Sequence, residues 1–279
     1  MILINGMINK TIFDKIYVIS LIHNHDRQEF IKYQMNHIGL NFEFIYGIDF
    51  YNLINDSKDN RIFLPDVYNY VNDPIQLAKN FGCAITHYNA VLNAYELGFN
   101  NILIIEDDIC FIKNTKLILQ LLNDIPKDCD FVSFNPRFKS TEDNIEHENC
   151  KKLIYKNYNN NFIDLHNNYQ LLVGAMMYGI MNRDTMKLYL NNQRQKLMAA
   201  DNVIGFFEYP TVKRYISTKC LCTDIYNINT NFNVNDTSYE CIYKDIEHLK
   251  INNFFTVNNI YNIFTRTYNE SIYHYISKI

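Results

Sequence analysis

The sequence predicts an α/β domain built around a parallel sheet, and two observations carry that prediction. Residues 15–46 read strand, helix, strand, the opening of a nucleotide-binding sheet. Further on, the apolar run Ile102–Ile105 ends abruptly in three carboxylates, Glu106, Asp107 and Asp108. Such a run is expected of a strand buried on both faces at the centre of a parallel sheet. Acids just beyond it would lie at the carboxyl edge, where open α/β sheets bind their ligands.

The elements follow in order. Lys15–Leu21 is the first strand. A helix is expected from about Asp26 to Ile38, with Asp26 as its cap, Glu29 completing a capping box and Gly39 supplying the stop. Asn41–Tyr46 alternates as a second strand, and 47–73 is a long polar connection. A helix over about Ile85–Leu97, closed by Gly98, feeds the acidic strand. Leu117–Asn123 reads as a short helix and Phe131–Phe134 as a strand. The charged, Asn-rich stretch 138–168 belongs on the surface. Leu171–Ile180 reads as one buried strand containing Gly174, Ala175 and Gly179, and a helix follows from about Asp184 to Leu190. Met198–Phe207 is a second apolar segment interrupted by Asp201.

Past about residue 225 the pattern changes. Residues 251–279 place apolar bulk at helical spacing with Asn between, which suits a helix packed on the main domain better than one lying on a membrane. The expected organisation is a domain over 1–225 and a C-terminal extension over 226–279.

Composition narrows the function. The net charge is −4 and no strongly basic block occurs, which argues against a nucleic-acid partner. Seven cysteines without a CxxC pair suggest reduced thiols in a cytoplasmic setting rather than a disulfide scaffold or structural zinc. No uninterrupted apolar run is long enough to span a bilayer, and the apolar start is too short for a signal sequence. The protein is expected to be soluble, or peripheral at the membrane.

The acidic triplet is the sharpest chemical signal. Two carboxylates about 5 Å apart repel by roughly 3 kcal/mol at an effective dielectric of 20. A divalent cation would remove that repulsion and bring a diphosphate with it. Read from the residues alone, the triplet is either a solvated turn or a metal–nucleotide site.

Three segments decide between these readings by resemblance. They are Ile16–Arg27 with Gly47-Ile48-Asp49 beyond it, Gly82-Cys83-Ala84-Ile85-Thr86-His87, and Ile104-Ile105-Glu106-Asp107-Asp108. In this order they resemble the family-25 glycosyltransferases, over roughly residues 15–215. Thr86 stands where that family usually has Ser, and Ser20 and His23 lie in an opening turn that normally carries Asn or Asp.

The resemblance implies a GT-A-like fold, a mixed and mainly parallel sheet flanked by helices. It implies a hexosyltransferase using a UDP-sugar, most readily UDP-galactose, and acting on a lipooligosaccharide or another glycan, lipid-linked or not. Asp108 would bind Mn²⁺ or Mg²⁺ with help from Glu106, since hard oxygen ligands suit those ions. Glu106, Asp107, Asp26, Arg27, Thr86 and His87 would line the donor. Arg27 offers a planar fork for phosphate, although Asp26 and Arg27 read equally well as a helix cap and a surface arginine. Thr86 and His87 are placed near a helix start, where backbone N–H groups favour anions. Cys83 reads as a small core residue. Asp201 is the base expected for an inverting transfer, with Glu208 in reserve and a helix cap as the plainer role. Two other functions stay open: a nucleotidyltransferase acting on sugar phosphates, and a non-catalytic glycan- or partner-binding homologue of the same fold.

Overall fold

The computed structural model describes residues 10–47, 74–112, 114–134, 137–138, 158–159, 161–164, 172–173, 175–195, 200, 211–217 and 221–224. The chain opens with β1 (Lys15–Leu21), α1 (His25–Ile38) and β2 (Glu43–Gly47). After α2 (Pro74–Glu96) come β3 (Ile102–Glu106), β4 (Ile109–Phe111), α3 (Thr115–Asn123) and β5 (Phe131–Ser133). Short strands follow: β6 (Arg137–Phe138), β7 (Tyr158–Asn159), β8 (Phe162–Asp164), β9 (Leu172–Val173) and β10 (Met177–Ile180). Helix α4 (Arg183–Gln195) precedes β11 (Arg214–Ser217) and β12 (Cys222–Asp224).

Among the described residues, eight strands form one sheet in the order β2-β1-β3-β10-β5-β11-β8-β7. β1 pairs in parallel with β2 and β3, and β5 with β11. β10 runs antiparallel to both β3 and β5, and β8 antiparallel to β11 and β7. The sheet is therefore mixed, with β8 and β10 reversed against the rest, and it carries helices on its faces. The pairs β4–β12 and β6–β9 are separate two-stranded ladders.

The order β2-β1-β3 positions the site. Crossovers between parallel strands are right-handed, and the two here travel in opposite directions from the edge strand and back. α1 and α2 must then lie on opposite faces. The packing agrees: α1 meets α3 and β4, whereas α2 meets β1, β2, β3 and α4. Between these layers Ile102, Leu103, Ile104 and Ile105 are completely buried, as their uniform apolarity requires.

Local signals account for several boundaries. Gly39 ends α1 at φ 80°, a left-handed conformation that glycine adopts without steric cost, and its N–H returns to Met35 and Asn36. Asn114 caps α3 by accepting from the Leu117 N–H at 3.0 Å.

Other expectations are corrected. Helix α1 begins at His25 with Asn24 at the cap position, so Asp26 lies inside the first turn and Glu29 pairs with Lys32 at 2.6 Å. The chain folds back directly after β1, where Asn24 N–H bonds Leu21 O and Gln28 Nε2 takes the same carbonyl at 2.8 Å. That turn starts the helix one residue early. The stretch 138–168 is not simply surface: β8 joins the main sheet, and Phe162 is 1% exposed against the edge of Phe134. Residues 171–180 are two strands rather than one, β9 pairing with β6 and β10 with β3 and β5. Helix α2 starts eleven residues before the expected Ile85, which changes the setting of Thr86 and His87. The boundary at 225 and the extension 226–279 lie outside the described residues.

Candidate functional site

The acidic triplet leaves the sheet at the carboxyl edge of β1 and β3. Its backbone is pinned on both sides: Glu106 N–H donates to Met176 O at 2.9 Å, and Asp107 N–H to Ile19 O at 3.0 Å. β3 stops at Glu106 and the chain turns at 107–108 before β4. Strand alternation therefore does not run through the triplet, and the expected grouping of Glu106 with Asp108 is replaced by another.

Asp107 is the buried member, only 5% exposed. Its Oδ2 accepts from Ser20 Oγ at 2.6 Å and from Asn24 Nδ2 at 3.4 Å, and its Oδ1 accepts from Arg27 Nη1 at 3.2 Å. Asp108 lies 3.8 Å from the same Arg27 nitrogen. Asp107 and Asp108 thus share Arg27, which offsets part of their mutual repulsion, so a cation is not required merely to hold the turn together. Arg27 lies in the first turn of α1, beyond the end of β1, and remains about one-third exposed, accessible to an anion as well. Asp26 is exposed one position earlier in α1.

Glu106 turns instead toward α2. Its Oε1 lies 3.0 Å from His87 Nε2 and 3.8 Å from Cys83 Sγ. Cys83 and His87 are one helical turn apart on α2 and so project from the same face. His87 is completely buried, its ring stacked on Tyr178 at 5.6 Å and its Nδ1 2.9 Å from the Tyr178 hydroxyl. Tyr178 and Tyr189 hydrogen-bond to each other, and Gln193 Nε2 donates to Tyr189 at 3.3 Å. Burial holds both phenols well above their ordinary pKa, reinforced at Tyr178 by the neighbouring Tyr189 and Glu106 charges. The result is a buried polar line running from Glu106 through His87 and the two tyrosines to Gln193.

The expectation that Thr86 and His87 sit at an anion-binding helix start is overturned. Both are mid-helix, where backbone N–H groups bond the preceding turn. Thr86 Oγ1 donates back to Gly82 O at 2.7 Å and packs under Gly47, where an added Cβ would come within 2.7 Å of that oxygen. Gly47 lets the end of β2 approach α2 this closely. Cys83 is half-buried against the core, as read, but its thiol also faces Glu106.

The structure therefore unites Arg27, Asp107 and Asp108 in one group and Glu106, His87 and Cys83 in another. Asp201 and Glu208 lie outside the described residues. Ser20, Asn24 and Tyr178 were missed as site residues. Tyr178 had a readable signal, a hydroxyl inside an otherwise apolar buried strand; Ser20 and Asn24 had none beyond their place in the opening turn.

A family profile described as glycosyltransferase family 25 (LPS biosynthesis protein) matches residues 13–204, more than half of the chain. The chain belongs to glycosyltransferase family 25. The match takes in the acidic turn, Arg27 and the α2 cluster together. Among solved structures, this glycosyltransferase is similar to the crystal structure of a glycosyltransferase involved in the glycosylation of the major capsid of PBCV-1. That similarity has a TM-score of 0.44 and 7% identity, over 82% of this chain and 98% of the other. No curated protein matches the chain. Membership makes a sugar donor and a glycan acceptor its general partners. No helix among the described residues of this glycosyltransferase is long and apolar enough to cross a membrane.

Proposed function

We propose that this glycosyltransferase moves a hexose, galactose from UDP-galactose, onto a hydroxyl of a lipooligosaccharide or another surface glycan, with inversion at the anomeric carbon. The observation that supports the reading is the meeting of Asp107, Asp108 and Arg27 at the carboxyl edge of β1 and β3. A nucleotide diphosphate needs positive charge and a cation ligand side by side, and this edge offers both.

The donor set fits Mn²⁺ or Mg²⁺. Asp107 has both carboxylate oxygens engaged by Ser20, Asn24 and Arg27, which leaves Asp108 as the carboxylate best placed to hold the ion. Glu106, one oxygen already on His87, orients the donor or lends its other oxygen. Carboxylate and phosphate oxygens suit hard cations. A bound ion would neutralise the departing diphosphate.

The chain's own groups do the rest. Arg27 pairs its planar fork with a phosphate while the two aspartates hold it in place. Asp26 accepts from the uracil or ribose. Asp201, with Glu208 in reserve, takes the acceptor hydroxyl proton as that oxygen attacks the anomeric carbon opposite the nucleotide. The enzyme works in the cytoplasm, touching the inner membrane face where its acceptor is lipid-linked.

The test is UDP release with Mn²⁺ present from UDP-galactose, UDP-glucose and UDP-N-acetylglucosamine, offered with lipooligosaccharide acceptors. Release from UDP-galactose above the other two supports the reading. No release from any of the three would end it.

A further inference from the structure

A second set of ligand-type atoms lies beneath the acidic turn. Cys83 Sγ, His87 Nε2 and a Glu106 carboxylate oxygen all lie within 4.8 Å of one another. Oε1 is 3.0 Å from Nε2 and 3.8 Å from Sγ. A tetrahedral ion with bonds of about 2.3 Å to sulfur and about 2.0–2.1 Å to nitrogen and oxygen spaces its ligand atoms roughly 3.4–3.6 Å apart. The two separations from Glu106 bracket that spacing and the sulfur–nitrogen separation is within 4.8 Å, and the side chains stand on a helix and a strand rather than on loops.

We propose that Cys83, His87 and Glu106 form a binding site for a thiophilic divalent cation, Zn²⁺, separate from the hard-cation site at Asp108. Three features support it. Cys83 and His87 are four residues apart on α2, so one helix face presents sulfur and nitrogen together. Thiolate with imidazole selects Zn²⁺ over Mn²⁺ or Mg²⁺. The far ring nitrogen of His87 already has an orienting partner, Tyr178, which is itself bonded to Tyr189; metal-bound histidines depend on such support.

The protons balance. Cys83 releases its thiol proton to solvent and binds as thiolate. The proton held between Nε2 and Glu106 also leaves to solvent, so that the Nε2 lone pair and the Glu106 oxygen both turn to the ion. His87 then binds as neutral imidazole with its remaining proton on Nδ1, donating to the Tyr178 oxygen, while Tyr178 donates onward to Tyr189. Glu106 is about one-fifth exposed and Cys83 half-buried, so water can complete the shell. An ion held here draws Glu106 toward α2, and Zn²⁺ would therefore restrain the carboxylate that the donor site uses. That consequence rests on the transferase reading; the binding itself does not.

Co²⁺ titration of the metal-stripped full-length protein tests the site. A single equivalent should give the visible bands of tetrahedral Co²⁺ with a thiolate-to-cobalt charge-transfer band, lost on adding Zn²⁺ and retained in excess Mg²⁺. Cys83→Ser should remove the charge-transfer band, and Tyr178→Phe should weaken binding about 10- to 100-fold. Asp108→Asn should bind cobalt as the parent does. His87→Gln alters a fully buried position, so Cys83→Ser, checked for folding by circular dichroism, carries the decision. Absence of the thiolate band in the parent, or its persistence in Cys83→Ser, overturns the proposal. Neither readout uses turnover, so a silent donor screen leaves the site standing and a silent cobalt titration leaves the donor reading standing.

Discussion

Ser20 donates a 2.6 Å hydrogen bond to Asp107 from 87 positions away, and both side chains are buried. The bond ties the end of β1 to the acidic turn after β3, and the Asp107 N–H to Ile19 O bond repeats the tie through the backbone. A hydrogen bond to a charged group contributes about 1.5–3 kcal/mol. Ser20→Ala should lower the free energy of unfolding by that amount in urea titration. A change within a few tenths of a kcal/mol would mean the contact contributes little.

Asp107 and Asp108 should separate in their effects. Asp107→Asn breaks the short contact to Arg27 and leaves Ser20 on a weaker acceptor, and is expected to destabilise by roughly 1–3 kcal/mol, discounted because Arg27 is partly exposed. Asp108→Asn should leave the melting temperature nearly unchanged while abolishing UDP release. Full activity in Asp108→Asn would refute the cation role given to it.

The base is tested away from the described residues. Asp201→Asn should lose rate and still be stabilised by UDP with Mn²⁺ in thermal melting, because the proton acceptor is not needed to hold the nucleotide. Glu208→Gln is the paired control. Normal turnover in the Asp201 variant would move the base elsewhere.

Alkaline pH should unfold the protein through its buried phenols. Tyr178 and Tyr189 have folded pKa values raised above the unfolded value of about 10. The folded state therefore keeps protons that the unfolded state gives up above that pH. Their contribution is complete below about pH 10 and is lost as pH rises, at about 1.4 kcal/mol per pH unit for each tyrosine. Urea unfolding from about pH 8 to about pH 11 should show the decline, and Tyr178→Phe should make it shallower by one tyrosine's share. An unchanged slope in that variant would remove Tyr178 as a source.

Gly47 carries a steric prediction. A Cβ there would meet Thr86 Oγ1 at 2.7 Å and Leu21 Cδ2 at 3.3 Å. Thr86 Oγ1 is held by Gly82 O, so it yields poorly. Gly47→Ala should cost about 1–3 kcal/mol as overpacking. Adding Thr86→Ala should recover part of that in a double-mutant cycle, and strict additivity would show that the clash is relieved elsewhere.

By itself the sequence determined the features whose cause is local. β1 has the bounds its apolar pattern implies, Gly39 ends its helix as its type requires, and Ile102–Ile105 reads as buried because every position is apolar. The acidic triplet and its place at the sheet edge were equally legible, since a strand's end and its charge sit side by side in the chain. Tertiary structure decided what distant residues decide. The start of α2 at Pro74 rather than Ile85 is an exception, legible in the chain but passed over, since Asp73-Pro74 puts a capping residue type before a proline at the first helical position. β8 joins the sheet only because β11 lies beside it, and Arg214, completely buried on β11, has a charge that no local pattern would place inside. The partition of the triplet is the sharpest case. Three adjacent carboxylates look alike in sequence, yet one meets His87 and Cys83 while the other two share Arg27. Which layer each side chain enters depends on the helix waiting on that face, and those partners come from 19 to 81 positions away.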